Sequence, residues 1–342
     1  MMTLLQRCNR FVRLTTVCVA AFALTTLGVR LWVGSAASRQ DDSLSVKLAH
    51  FEANKNSYSA VFIGNSRIYR GVNPKRFDEV MITSGRASHS YNFGIPAMTA
   101  AEINKVVRYV VAADPCCLDY VFVELWSPAH LVSVRANRTV ASYDPMTAWF
   151  ALQHTLGAEG SLVEKGMLSA EIMAAAGLNV LNVGGLLHTL PEHVSRNGAP
   201  GDDEVYNGYT PLEVETHADI LRRRDKFETA GGEAFAQLVA EQLKAYERRP
   251  GLEPYQENAL ALLDRYVEKL DGDTELIYLV TPFGKSYRVD DTDLSVFDYN
   301  DVTAHPNLFD RSLWFDEGHL TEEGAGWLSQ DLARKVMTRE TP

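Results

Sequence analysis

The first forty residues of this 342-residue chain contain no aspartate and no glutamate, although acids outnumber bases in the whole by 44 to 33. Five arginines (Arg7, Arg10, Arg13, Arg30 and Arg39) carry all the charge there, which leaves 28 basic against 44 acidic residues over 41–342. A net −16 on that body, against −11 for the whole chain, is wrong for sequence-independent nucleic-acid binding, which needs Lys and Arg to neutralise phosphate. It also excludes adhesion to anionic lipid by charge alone. Cysteine is scarce. Four cysteines cannot form a disulfide scaffold at this length, and no C-x-x-C pair or His/Cys ligand spacing points to zinc. Cys116 and Cys117 are adjacent, and since a bond between neighbours is strained the expectation is two buried thiols. There is no internal repeat and no low-complexity tract. Apolar residues, at 46%, are plentiful enough to exclude disorder. About 300 residues beyond the basic end suffice for one large domain with an insertion, or for two domains.

Charge is also missing from Leu14 to Val29, and Arg30 is followed by the apolar tail Leu31-Trp32-Val33. Arginines before an uncharged run place the N-terminus in the cytoplasm and the body outside it. The expectation is a cytoplasmic basic end at 1–13 and a single transmembrane anchor or signal peptide at 14–34, Arg30 snorkelling and Trp32 at the interface. The competing reading is a signal peptide cleaved after Ser35-Ala36-Ala37. A soluble core helix fits poorly, because no polar face interrupts the run. The sequon Asn137-Arg138-Thr139 matters only in a eukaryotic secretory pathway.

Residues 41–58 read as a polar, helix-tending neck. Continuous apolar runs at Ala60–Ile63, Tyr120–Val123 and Leu276–Val280 read as buried strands. Ile103, Val106, Val107, Val110 and Val111 follow helical spacing, as does a long amphipathic region over 233–270. The chain closes on a helix with Thr321 as N-cap, Glu322 and Glu323 in its first turn, and Trp327, Leu328, Leu332 and Val336 on one face. Alternating strands and helices predict an α/β domain over 59–338 with a mostly parallel sheet covered on both sides. The segment 128–230 is far longer than a crossover needs. It is rich in helix formers, Gly and Pro, and reads as a mainly helical insertion.

In such domains ligands gather at the carboxyl ends of the strands, where three segments fall. Gly64-Asn65-Ser66-Arg67 follows the first strand. A serine on that turn exposes its hydroxyl and N–H together, as a nucleophile contributing to an oxyanion hole would; the plainer reading is an N-cap serine. Tyr91-Asn92-Phe93-Gly94-Ile95-Pro96 offers a glycine N–H as an oxyanion donor, or is an ordinary turn. In Phe315-Asp316-Glu317-Gly318-His319-Leu320, an Asp three residues before a His lets the carboxylate hold Nδ1 and frees Nε2 for a serine proton. The alternatives are a solvated turn, or a metal pair for which no third or fourth ligand has suitable spacing. The other eight histidines, His188 and His193 of the insertion among them, have no comparable context.

Together, in this order, the three segments resemble the SGNH (GDSL-like) hydrolase superfamily, over a stretch from about Ala60 to Val336 with the insertion unmatched. "VFIGNSRIYRGVNPKRF", "YNFGIPAMTAAE", "YVFVELWSP" and "LFDRSLWFDEGHLTEEGA" are most similar to membrane-anchored bacterial extracytoplasmic members, including those associated with O-acetylation of exopolysaccharides. The resemblance implies a three-layer α/β/α sandwich of flavodoxin-like type, with Ser66 as nucleophile, His319 as general base and Asp316 as its orienting partner. It implies an oxyanion hole from the N–H groups of Ser66 and Gly94, and no cofactor. Two departures stand out. The Gly-Asp-Ser-Leu signature is here Gly64-Asn65-Ser66-Arg67, and the superfamily's third block supplies an asparagine where this chain has Glu124-Leu125-Trp126-Ser127-Pro128. Asn92 is the candidate substitute donor. Glu124 reads as a buried partner of Arg67 or another cation.

The resulting expectation is a serine esterase or O-acyl(acetyl)transferase, tethered in a bacterial cytoplasmic membrane with its domain periplasmic or extracellular. Its partners would be an acylated polysaccharide or small ester and a membrane-bound acyl-donor protein, with no nucleic acid. The alternative is a non-catalytic module of an envelope polysaccharide system that retains the fold.

Overall fold

The computed structural model describes residues 43–125, 143–157, 161–180, 207–252, 254–270, 274–284, 286–289 and 293–339. The expected membrane segment, the Ser35-Ala36-Ala37 cleavage site, the Asn137 sequon, His188, His193 and Trp126-Ser127-Pro128 lie outside them. Contacts divide the chain into two units, one of residues 1–42 and 132–195, the other of 43–131 and 196–342. Among the described residues no helix is long and apolar enough to cross a membrane.

The larger unit begins with α1 (Ser43–Asn54), followed by β1 (Ala60–Ile63), α2 (Ser66–Gly71), α3 (Pro74–Thr83), β2 (Ser90–Asn92), α4 (Ala100–Ala113) and β3 (Tyr120–Glu124). The smaller unit holds α5 (Pro145–Gly157) and α6 (Leu162–Val180). The larger one resumes with α7 (Ala218–Glu247), α8 (Pro254–Val267), β4 (Glu275–Val280), β5 (Val296–Asp298), β6 (Trp314–Asp316), β7 (His319–Leu320) and α9 (Glu322–Arg339).

Five strands form one parallel sheet in the order β2-β1-β3-β4-β5. Because strand side chains alternate, the sheet divides the core in two. Val61, Ile63, Val121, Val123, Tyr278 and Val280 pack under α1, α4 and α8; Ala60, Phe62, Phe122, Ile277 and Leu279 pack under α2, α3 and α9. This is a three-layer α/β sandwich. In α4, Thr99 and Glu102 form a reciprocal capping box, and Ile103, Val106, Val107 and Val110 are its buried face. Thr321 caps α9 through Gly324 N–H at 3.1 Å. β6 and β7 form a separate antiparallel hairpin.

Several expectations need amending. The neck is a packed element: Leu44 and Phe51 of α1 are buried in the core, and Lys47 donates to the backbone carbonyls of Asn92 (2.7 Å) and Gly208 (2.5 Å). The amphipathic region over 233–270 is two helices broken near Pro250, with a further non-helical residue at Gly231 inside α7. By contacts the insertion is 132–195 rather than 128–230, because Tyr209 and Leu212 are buried in the larger unit. Cys116 and Cys117 are exposed, in the turn between α4 and β3, and are free thiols.

Candidate active site

β1 ends at Ile63, and the chain turns through Gly64 and Asn65 into α2. The Asn65 side chain, not Ser66, caps this helix, accepting Arg67 N–H at 2.8 Å. Ser66 is thereby released from the capping role that its position made the plainer reading, and its hydroxyl is available for other bonds. Gly64 is required by space: a Cβ there would lie 2.3 Å from Ile68 Cγ1 and 2.8 Å from Glu124 Cβ.

The β6–β7 hairpin comes to meet this turn. Ser66 Oγ lies 3.0 Å from His319 Nε2, and His319 Nδ1 lies 2.8 Å from Asp316 Oδ1. Gly318 N–H donates to the same Asp316 oxygen at 2.9 Å, fixing the carboxylate across the turn. The three residues that sequence order alone linked, 253 positions apart at the extremes, thus form one continuous chain of polar contacts. Burial pushes the Asp316 carboxyl up, but the hydrogen bond and charge of His319, the Gly318 N–H and the charge of Arg223 outweigh it, and the group sits below the ordinary aspartate value.

Arg223 gives no motif in the sequence, lying within Arg222-Arg223-Arg224. From α7 its Nη1 approaches Asp316 Oδ2 to 3.1 Å, an ion-pair contact without the alignment of a hydrogen bond. Its neighbour Arg224 donates from one nitrogen to the carbonyls of Trp314 (2.9 Å) and Phe315 (3.0 Å) and stacks on the Phe315 ring. Lys226 pairs with Glu317 at 3.1 Å. The first turns of α7 therefore grip the hairpin that carries Asp316 and His319.

Glu124 underlies the turn that carries Ser66. Its Oε2 accepts Asn65 N–H at 2.7 Å, and Thr281 Oγ1 lies 3.3 Å from its Oε1. The expected ion pair with Arg67 does not form; Arg67 acts on Glu124 only through its charge. The backbone N–H takes the place that a cation was expected to fill. Complete burial pushes the Glu124 carboxyl up, against the downward pull of Asn65 N–H, Arg67 and Thr281.

The expected oxyanion hole is corrected at two of its three members. Asn92 Nδ2 donates to the carbonyls of Ile68 (2.8 Å) and Val72 (2.7 Å), closing the end of α2, and so has no proton left to offer a substrate. Its Oδ1 accepts Gly94 N–H at 2.7 Å, which occupies the second donor as well. A Cβ on Gly94 would lie 2.3 Å from Tyr69 N, so this glycine serves the close packing of α2 over β2. Ser66 N–H remains at the start of α2, with no acceptor assigned among the described residues.

No protein-family model and no curated protein matches the chain. Among the described residues no three His, Cys, Asp or Glu side chains are grouped as metal ligands, and both ring nitrogens of His319 are engaged by Ser66 and Asp316. His50 stacks on Tyr91, His89 packs on Tyr58, His217 caps α7, and His305 lies 3.1 Å from Lys335 Nζ.

Proposed function

We propose that this chain is an SGNH-like serine acyl hydrolase or acyltransferase, carried outside the cytoplasm by its N-terminal segment. The observation that carries the reading is the Ser66–His319–Asp316 relay, with contacts of 3.0 and 2.8 Å. The parallel strand order 2-1-3-4-5 is that of flavodoxin-like sheets, and Ser66 follows β1, beside the point where the order reverses. The sequence resemblance supports the same reading.

In this mechanism Ser66 Oγ attacks the carbonyl carbon of an ester while His319 Nε2 takes its proton. Asp316, already ionised, stabilises the imidazolium. Ser66 N–H donates to the oxyanion of the tetrahedral intermediate. Collapse expels the alcohol, which receives the proton from His319, and leaves Ser66 acylated. Water then releases a carboxylic acid, or a sugar hydroxyl takes the acyl group, with His319 again serving as base. An acetylated envelope polysaccharide is the substrate class favoured by the resemblance.

One observation favours the second reading, a non-catalytic module of a polysaccharide system: the Ile68 and Val72 carbonyls take Asn92 Nδ2, and Asn92 Oδ1 takes Gly94 N–H, which leaves one expected donor. A missing oxyanion donor costs about 3–4 kcal/mol of transition-state stabilisation. The two readings separate by experiment. The full chain in detergent is assayed on a short-chain aryl ester and with a fluorophosphonate probe, beside Ser66→Ala and His319→Ala. We expect labelling and turnover that both variants abolish. A wild type labelled no more than Ser66→Ala would favour the module.

A further inference from the structure

Thirteen large apolar side chains of the described residues are exposed, and nine of them lie on α5 and α6. On the larger unit they are scattered (Val46, Ile82, Val214 and Leu221). On α6 five of the six are ordered, Leu168 alone lying on the packing side. At 100° per residue, Leu162, Val163, Met167, Met173 and Val180 fall within about 140° of arc, with only Gly and Ala between them on that face. They are 88%, 71%, 58%, 57% and 38% exposed. Ile172 and Ala175, the buried residues, point the opposite way, and Glu164, Lys165 and Glu171 flank them. A helix of 19 residues, about 28 Å long, thus turns a wide charge-free stripe away from its own packing face.

A stripe this wide and apolar ordinarily faces a core. Here the side chains face outward. The contact unit that contains α6 also contains residues 1–42, and with them the uncharged run Leu14–Val29. We propose that the outward face of α6 lies in the interfacial layer of the bilayer that this run enters, its axis along the membrane surface. The inference rests on the reading of residues 14–34 as a membrane segment, and adds a second lipid contact. The three charges of α6, two acidic and one basic, offer anionic lipid no attraction. The contact is therefore made by apolar burial, and neither added salt nor removal of anionic lipid should weaken it. Trp149, 59% exposed on α5, adds an aromatic side chain of the kind enriched at such interfaces.

The test uses the full chain with Cys8, Cys18, Cys116 and Cys117 replaced by serine, reconstituted in phosphatidylcholine vesicles. A nitroxide is placed on Met167→Cys or Met173→Cys within the stripe, or on Glu171→Cys outside it. Folding of each variant is checked by circular dichroism. Collision rates with oxygen and with a water-soluble nickel complex are then compared. We expect the labels at 167 and 173 to favour oxygen several-fold over the nickel complex, relative to the label at 171. Equal nickel access at all three places the face in water and overturns the proposal. Shielding of 167 and 173 from both reagents means that protein covers the face, which also overturns it. Flotation separates the two readings: a chain that floats while its stripe is in water retains the anchor and loses this contact, and one that does not float loses both.

Discussion

Glu124 shows how a single residue changes the chemistry expected of a site. Its carboxylate accepts the backbone N–H of Asn65, one residue before the serine, and its burial raises its pKa. A carboxyl whose folded pKa is raised binds its proton more tightly in the folded state. Its contribution is then fully present below the unfolded value, near 4.5, and is lost as pH rises through the folded one. Glu124→Gln keeps an acceptor for Asn65 N–H and cannot ionise. Its melting temperature, followed against pH, should match wild type below about pH 4.5 and rise above it as pH increases. Glu124→Ala removes the acceptor and leaves a buried N–H unpaired, a loss of about 1–3 kcal/mol, and the loosened turn should slow fluorophosphonate labelling of Ser66. Equal labelling by Glu124→Ala and wild type would mean that the carboxyl does not position the serine. Asp316→Asn should slow labelling on the order of 10³–10⁴-fold with the fold intact, because the amide favours the wrong histidine tautomer.

At the scale of elements, the β6–β7 hairpin is too short to hold its own geometry: three residues pair with two. α7 supplies the missing rigidity. Arg224→Ala removes two charge-assisted hydrogen bonds, both from one nitrogen, to the Trp314 and Phe315 carbonyls, and a destabilisation of about 1–3 kcal/mol is expected from a partly exposed group. Amide exchange should quicken in 314–320 before it does in β1 or β3; uniform quickening would argue against a local clamp. Arg223 is about half exposed, so solvent screens its pairing with Asp316. Arg223→Gln should therefore slow acylation only a few-fold, and 0.5 M salt should slow wild type more than the variant.

For the molecule as a whole, the proposed placement of the site outside the cytoplasm rests on the charge division at residue 40. On that proposal the arginines before the uncharged run keep the N-terminus inside, and the body of net −16 goes to the other side. N-terminal sequencing of the mature protein checks this. A start at Met1 or Met2 is expected, and a start at Ser38 would mean release. The acidic body has no counterpart in the site itself, where Asp316, Arg223 and the buried Glu124 are locally paired or satisfied.

The strands at Ala60, Tyr120 and Leu276, the cap at Thr321 and the helical spacing of α4 were legible in the sequence, because burial on both faces of a parallel strand and one face of a helix leaves a periodic apolar record. Chain order also pointed to Ser66, Asp316 and His319, since each flanks a short turn whose residue types are restricted locally. β5 and β6 were not legible: three-residue strands are too short to leave a period. Arg223 had no local signature because its partner lies 93 positions away and its neighbours are also arginines. Asn92 and Gly94 looked like donors directed at a ligand, and only the tertiary structure decided otherwise. A polar group's role depends on which acceptors surround it, and those acceptors, the Ile68 and Val72 carbonyls, are brought there by the packing of α2 on the sheet. Sequence by itself determined the layers and singled out the serine, histidine and aspartate that meet. Packing decided which of the polar groups around them still have a hydrogen bond to give.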